Sequence, residues 1–303
     1  MKRLTNSFTV PNYFFTFLGL SVFFVIFSFF APLWLQNGVA ALGILSFGIL
    51  HGANDLKIIA KKTQQQSTSS SLKFFVLYIG VVLLGIVLFF LIPKIGLLSF
   101  VLVSCYHFGE QHWSSRALNQ KALFLRFFLY GALIFFTLFT FQYEPSAEVI
   151  FQMTGVRLPF YFFWMGLLVS FLGFVLSMLR AKIKWTDFSL ELFLMVILAI
   201  LFSKASLMFG FGLYFVLWHS IPSLNSQLEY IYEESTKKSW MSYLKSASVY
   251  WVLAILGLVL FFKFVQVSEQ QYLSIFFSFL AAITFPHAVV MGLMFHSKES
   301  NEE

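Results

Sequence analysis

KFFVLYIGVVLLGIVLFFLI, residues 73–92, carries one charge at its first position and none after it. A helix needs about 20 apolar residues to cross the ~30 Å hydrocarbon core of a bilayer, and this run supplies them. The signal recurs along the chain. Ten apolar spans are expected, at roughly 12–35, 39–60, 73–92, 96–112, 122–142, 159–180, 187–203, 206–222, 246–266 and 272–295. Of the 303 residues, 59% are hydrophobic, 20% aromatic and 11% charged. A soluble domain carries about 25% charged residues. No polar stretch is long enough to build one, so residues 1–303 are expected as a single membrane-integral domain. Its fold class is all-α, a polytopic transmembrane helix bundle.

The formal net charge of +7 does not point to nucleic acid. The basic residues fall in short loops rather than on a soluble stripe. Lys2 and Arg3 precede the first span. Lys57, Lys61, Lys62 and Lys73 flank a polar QQQSTSSS linker. Arg116, Lys121 and Arg126, then Arg180, Lys182 and Lys184, then Lys237, Lys238 and Lys245 mark alternate loops. The intervening connections LQNG, PKIG, EPSAEVIFQMTGVRLP, SKAS and SEQQ are poor in cations. The positive-inside rule then places both termini in the cytoplasm. The chain is expected as a multi-pass protein of the inner (plasma) membrane. No small-residue cleavage site follows MKRLTNSFTVPNYFFTF, so the first apolar run is expected to stay as a span. The single Cys105 excludes an intramolecular disulfide and a CxxC metal site.

Against this background ILHGANDLKIIAKK, residues 49–62, gathers His51, Asn54 and Asp55 at the end of an apolar run. His107, His219 and His287 hold equivalent places. All four histidines lie in the second half of even-numbered spans, which run in one direction. The next charged residue past each local motif is 6 to 11 positions on, at Lys57, Arg116, Glu229 and Lys298. At ~1.5 Å per residue the four imidazoles fall within about 8 Å of depth. Ionisable groups inside a membrane are costly and mark functional sites. Neutral imidazoles suit iron, zinc and copper. Two readings stand here, a metal cluster or separate interhelical hydrogen bonds. His112, about 140° around a helix from His107, is expected at the rim. His296 is expected at the exit to the polar tail. Asp55 is i+4 from His51, and Glu110 is i+3 from His107. Both are placed to orient those rings, with Asn54 beside them. The alternative for Asp55 is a surface ion pair with Lys57 or Lys61.

HGANDL, SCYHFGEQ, LWHS and FPHAVV, in this order, resemble the Brp/Blh family of membrane-integral β-carotene 15,15′-dioxygenases from bacteria and archaea. The resemblance covers about residues 40–295. It implies a ferrous-iron enzyme that splits the central double bond of β-carotene with O2 to give two all-trans-retinal. By the resemblance, His51, His107 and His219 are iron ligands and His287 is the fourth, with no catalytic residue beyond them. The family pattern usually has a second histidine four residues after the WHS histidine; here that position is Ser223. An apolar polyene would pass between helices from the bilayer along aromatics, for which Tyr106, Trp113, Tyr214, Phe215 and Trp218 are the candidates. The retinal produced would suit transfer to a microbial rhodopsin.

Other classes fit less well. A membrane desaturase needs about eight histidines in HxxxH and HxxHH clusters, and six without such a cluster are present. A histidine-based metal transporter needs polar ligands across both leaflets, and the outer halves of the spans nearly lack them. A retinal-binding protein needs a lysine deep in a helix, and Lys263 lies near a span end. A non-catalytic carotenoid-binding relative is the remaining alternative, separated from the enzyme by iron content.

Overall fold

The computed structural model describes residues 11, 13–63, 68–114, 123–181, 183–265, 268 and 271–300. There is no strand among the described residues. The α-helices are α1 (Phe14–Phe30), α2 (Leu33–Gly43), α3 (Asp55–Lys62), α4 (Thr68–Leu91), α5 (Pro93–Trp113), α6 (Leu123–Phe141), α7 (Tyr143–Thr154), α8 (Phe160–Arg180), α9 (Trp185–Lys204), α10 (Leu207–Tyr214), α11 (Ile221–Tyr232), α12 (Lys237–Phe264) and α13 (Tyr272–Ser300). Two π-helical turns, Ile44–Gly48 and Phe215–Ser220, follow α2 and α10. An all-helical outcome is what lipid imposes, since a spanning segment must satisfy its own backbone N–H and C=O groups.

Seven stretches among the described residues have the length and composition to cross a membrane. They are Leu72–Leu91, Leu123–Phe141, Phe160–Arg180, Trp185–Lys204, Leu207–Tyr232, Lys237–Phe264 and Tyr272–His296. Phe14–Phe30 and Leu33–Gly48 are apolar but shorter. The 21-residue α5 is diluted by Ser104, His107, Glu110, Gln111 and His112. Of the ten expected spans, seven among the described residues have this length and composition, and three helical segments are shorter or more polar. Two expected loops are partly helical. LQNG lies within α2, and most of EPSAEVIFQMTGVRLP forms α7. The termini, linker residues 64–67, and Lys2, Arg3, Arg116, Lys121 and Lys182 lie outside the described residues.

The chain forms two compact units, interleaved in sequence. The first comprises 1–41, 105–147 and 158–218. In it α6 packs on α8 and α9, and α1 packs on α9. Glycines make the closest approaches, as is common between membrane helices. A Cβ on Gly109 would lie 1.8 Å from the Phe127 carbonyl oxygen, and one on Gly131 would lie 1.9 Å from that of Cys105. The break after α1 follows from Pro32, which disfavours helix at the residue before it. There Gln36 Nε2 donates to the Ser28 and Ala31 carbonyls at 3.2 and 2.9 Å.

The second unit comprises 42–104, 148–157 and 219–303. Here α13 packs on α3 and α4, and α11 packs on α3 and α12. One core is built from Ile58, Val290, Met291, Met294 and Phe295. Another is built from Leu224, Leu228, Tyr243 and Ala247. Gly85 of α4 lets the helix lie against Ala282 and Phe285 of α13, a Cβ there reaching 3.1 Å from the Phe285 ring.

Candidate metal centre

Three of the expected histidines meet in the second unit. His51, His219 and His287 are buried, and each offers a ring nitrogen within 4.8 Å of the other two. The His51 ring stands edge-on to both partners, at 5.2 Å and 90° to His219 and 4.5 Å and 87° to His287. Three separate segments deliver them. His51 follows the first π-turn, His219 lies in the second, and His287 follows Pro286 inside α13. Single π-turns within α-helices concentrate at functional sites, because the extra residue rotates the side chains that follow.

The span expected over 39–60 is not one helix. Residues 51–54 form turns between the first π-turn and α3. This break is held by side chains from two other helices. Gln227 Nε2 donates to the His51 carbonyl at 2.7 Å, and the Tyr243 hydroxyl donates to Gln227 Oε1 at 2.7 Å. Asn54 Nδ2 donates to the Tyr243 carbonyl at 3.1 Å, and Asn54 Oδ1 accepts from Ser246 at 2.7 Å. Asn54 thus fixes the turn rather than a histidine ring. Ser223 is buried one turn past His219 and accepts from Gln227 Nε2 at 3.1 Å.

Hydrogen bonds decide which ring nitrogens could ligate a metal. His51 Nδ1 lies against the Gly48 carbonyl, which can only accept. The proton is therefore on Nδ1, and Nε2 carries the lone pair. His287 Nδ1 donates to Asp55 Oδ1 at 2.9 Å, which leaves its Nε2 for a metal. Asp55 was expected to orient His51 at i+4. Because the helix is interrupted at 51–54, the carboxylate instead faces α13 and serves His287. Its Oδ2 accepts from the Tyr78 hydroxyl at 2.9 Å. The surface reading of Asp55 fails as well. The carboxylate is buried, Lys57 bonds the Tyr232 hydroxyl, and Lys61 pairs with Glu233. Two imidazole Nε2 atoms set by the hydrogen bonds of their Nδ1 partners, a third histidine and a carboxylate behind one of them fit a divalent transition metal.

The remaining candidates belong to the first unit. His107 and Glu110 are buried on α5, and Glu110 Oε1 accepts from Tyr106 at 3.0 Å. His112 is not a rim residue. It is 6% exposed, stacks on Tyr130 with centroids 4.3 Å apart, and places Nε2 3.1 Å from Glu191. The apolar character of α9 hid this partner, since Glu191 lies on its inner side. Tyr106 packs on Phe124 and Phe127. Tyr214 and Phe215 pack on Phe108, and Trp218 donates to Ser21 at 3.0 Å between Phe14 and Phe17. Trp113 is buried against Tyr130 and Phe174. Sequence reasoning missed Tyr78, Gln227, Tyr243, Ser246 and Glu191. Their one shared signal is a hydrogen-bonding side chain within or beside an apolar run.

Compared with known proteins, the chain matches a family model described as beta-carotene 15,15′-dioxygenase over residues 42–295. The chain belongs to that family. The match spans all three clustered histidines, together with His107, Asp55 and Tyr78. No curated protein and no solved structure matches the chain.

Proposed function

We propose that this protein cleaves the central 15,15′ double bond of β-carotene with O2, giving two all-trans-retinal, at a ferrous iron held by His51, His219 and His287. One carbon–carbon double bond is broken and two carbonyls form, each taking one atom of O2. The observation that carries the reading is the convergence of three buried imidazoles from three segments in a chain of this family. Zinc suits the same donors but has no redox chemistry. Iron, when bound, supplies the electron transfer to O2 that no side chain of the cluster can supply.

The chain's own residues do the rest. His51 presents Nε2 because Gly48 holds its Nδ1 proton. His287 presents Nε2 because Asp55 holds its other nitrogen. His107 is proposed as the fourth ligand. Tyr106, Tyr214, Phe215 and Trp218 are proposed as walls of the polyene path, with Glu110 and Asn54 as supports of the ligand-bearing segments. The substrate is all hydrocarbon and dissolves in the bilayer, so a multi-pass protein of the plasma membrane meets it there.

The test is retinal formation in cells already making β-carotene, with iron measured on the purified protein. Retinal and about one iron per chain, both lost in His51→Ala, support the proposal. Bound carotenoid without retinal identifies a non-catalytic relative. Active protein filled with zinc and free of iron overturns the metal assignment.

A further inference from the structure

Between Lys73 and Lys94 the only side chain with a polar atom is Tyr78. The less exposed positions of α4, Phe74, Tyr78, Val81, Val82, Gly85, Leu88 and Phe89, recur at helical spacing, and α4 packs on α13. Tyr78 therefore points its hydroxyl inward, and donates it to Asp55 Oδ2 at 2.9 Å. The other oxygen of that carboxylate accepts from His287 Nδ1 at 2.9 Å. A carboxylate torsion is broad and roughly two-fold when only one oxygen is engaged. His287 Nδ1 also lies 3.1 Å from Oδ2, so it straddles both oxygens from α13, and the Tyr78 hydroxyl on Oδ2 adds a second anchor from α4 that holds the carboxylate in place. We infer that Tyr78 is a positioning residue for the metal centre, setting the His287 ring through Asp55. This rests on the reading that His51, His219 and His287 hold the iron.

A hydroxyl buried among apolar helices needs some acceptor, since an unpaired one is costly. That need alone does not explain the choice of acceptor. Of the carboxylates in the second unit, Tyr78 engages the one that holds a clustered histidine. The phenol ring also lines an apolar cavity of about 200 Å³ with Ile58, Leu77, Val81, Val290 and Leu293. Phenylalanine at position 78 keeps that packing and removes a single oxygen, so the hydrogen bond can be tested apart from the wall.

The experiment uses full-length protein in nanodiscs, with cobalt(II) as probe and chelator competition to measure affinity. Tyr78→Phe is expected to lower cobalt affinity about 10-fold and to shift the visible ligand-field bands, as outer partners of metal-bound histidine do. Leu77→Ala, which opens the same cavity without touching Asp55, is expected to change neither. The Tyr78→Phe, Asp55→Asn double variant is expected to lose little more than Asp55→Asn alone, because both act through one carboxylate. Wild-type affinity and spectrum in Tyr78→Phe, or losses that simply add, overturn the inference while the iron reading stands. Wild-type protein that binds neither cobalt nor iron overturns the iron reading and this inference with it.

Discussion

Replacing Asp55 with asparagine tests the second layer of the site while preserving shape. The carboxylate accepts on both oxygens, from His287 at 2.9 Å and from Tyr78 at 2.9 Å. Asparagine offers one acceptor oxygen and one donor nitrogen. One of the two donors must then face an N–H group, and the negative charge that strengthens the His287 bond is gone. A hydrogen bond to a charged group contributes about 1.5–3 kcal/mol. At ~1.4 kcal/mol per decade, losing it corresponds to about 10–100-fold in metal affinity. That is the range found when outer partners of metal-bound histidines are replaced. The assay is iron per chain and chelator competition on protein in nanodiscs, with circular dichroism to confirm that the helices remain. Asp55→Asn is expected to bind iron more weakly and to make less retinal, without losing the site altogether. Unchanged affinity in a folded variant would refute the argument that Asp55 orients His287.

Three further outcomes follow from the same geometry. His219→Ala and His287→Ala are each expected to lose iron and retinal together, and His107→Ala to do the same as the proposed fourth ligand; iron-replete, active protein removes that residue from the ligand set. His112→Ala is expected to keep its iron per folded chain but to lose about 3 kcal/mol of stability, because it takes a partner from the buried Glu191; iron loss at unchanged stability would place His112 in the metal site instead. Gly131→Ala puts a Cβ 1.9 Å from the Cys105 carbonyl, so α5 and α6 must part, at a cost of about 1–3 kcal/mol or more; an unchanged thermal midpoint would show that the crossing is looser than this.

The helices were legible because apolar runs of membrane length admit few other outcomes. Matching depth groups His51, His107, His219 and His287, and three of the four cluster. Depth fixes only one coordinate, however. It cannot say which rings converge laterally, and that depends on helix packing. His112 shows the limit. It was expected at the rim, about 140° around the helix from His107, and is buried instead. Its partner Glu191 lies 79 residues away on a helix that reads as apolar. The π-turns left no mark in composition, because they follow from how neighbouring helices seat the chain.

Asp55 is the most instructive miss. The i+4 rule that tied it to His51 assumes an unbroken helix, and Gly52, Asn54 and Asp55 within HGAND form a turn-rich cluster that argued against one. In lipid such a break is tolerable only where protein satisfies the freed backbone groups. Here the groups that do so also build the site. The Gly48 carbonyl takes the His51 ring proton, and the His51 carbonyl takes Gln227. Asn54 ties the turn to Tyr243 and Ser246. The break then starts α3 at Asp55 and turns its carboxylate toward His287, 232 residues on. A continuous helix through 51–54 would return Asp55 to the face of His51 and leave His287 Nδ1 without this acceptor. The interruption that sequence periodicity overlooks is thus what brings the carboxylate to His287.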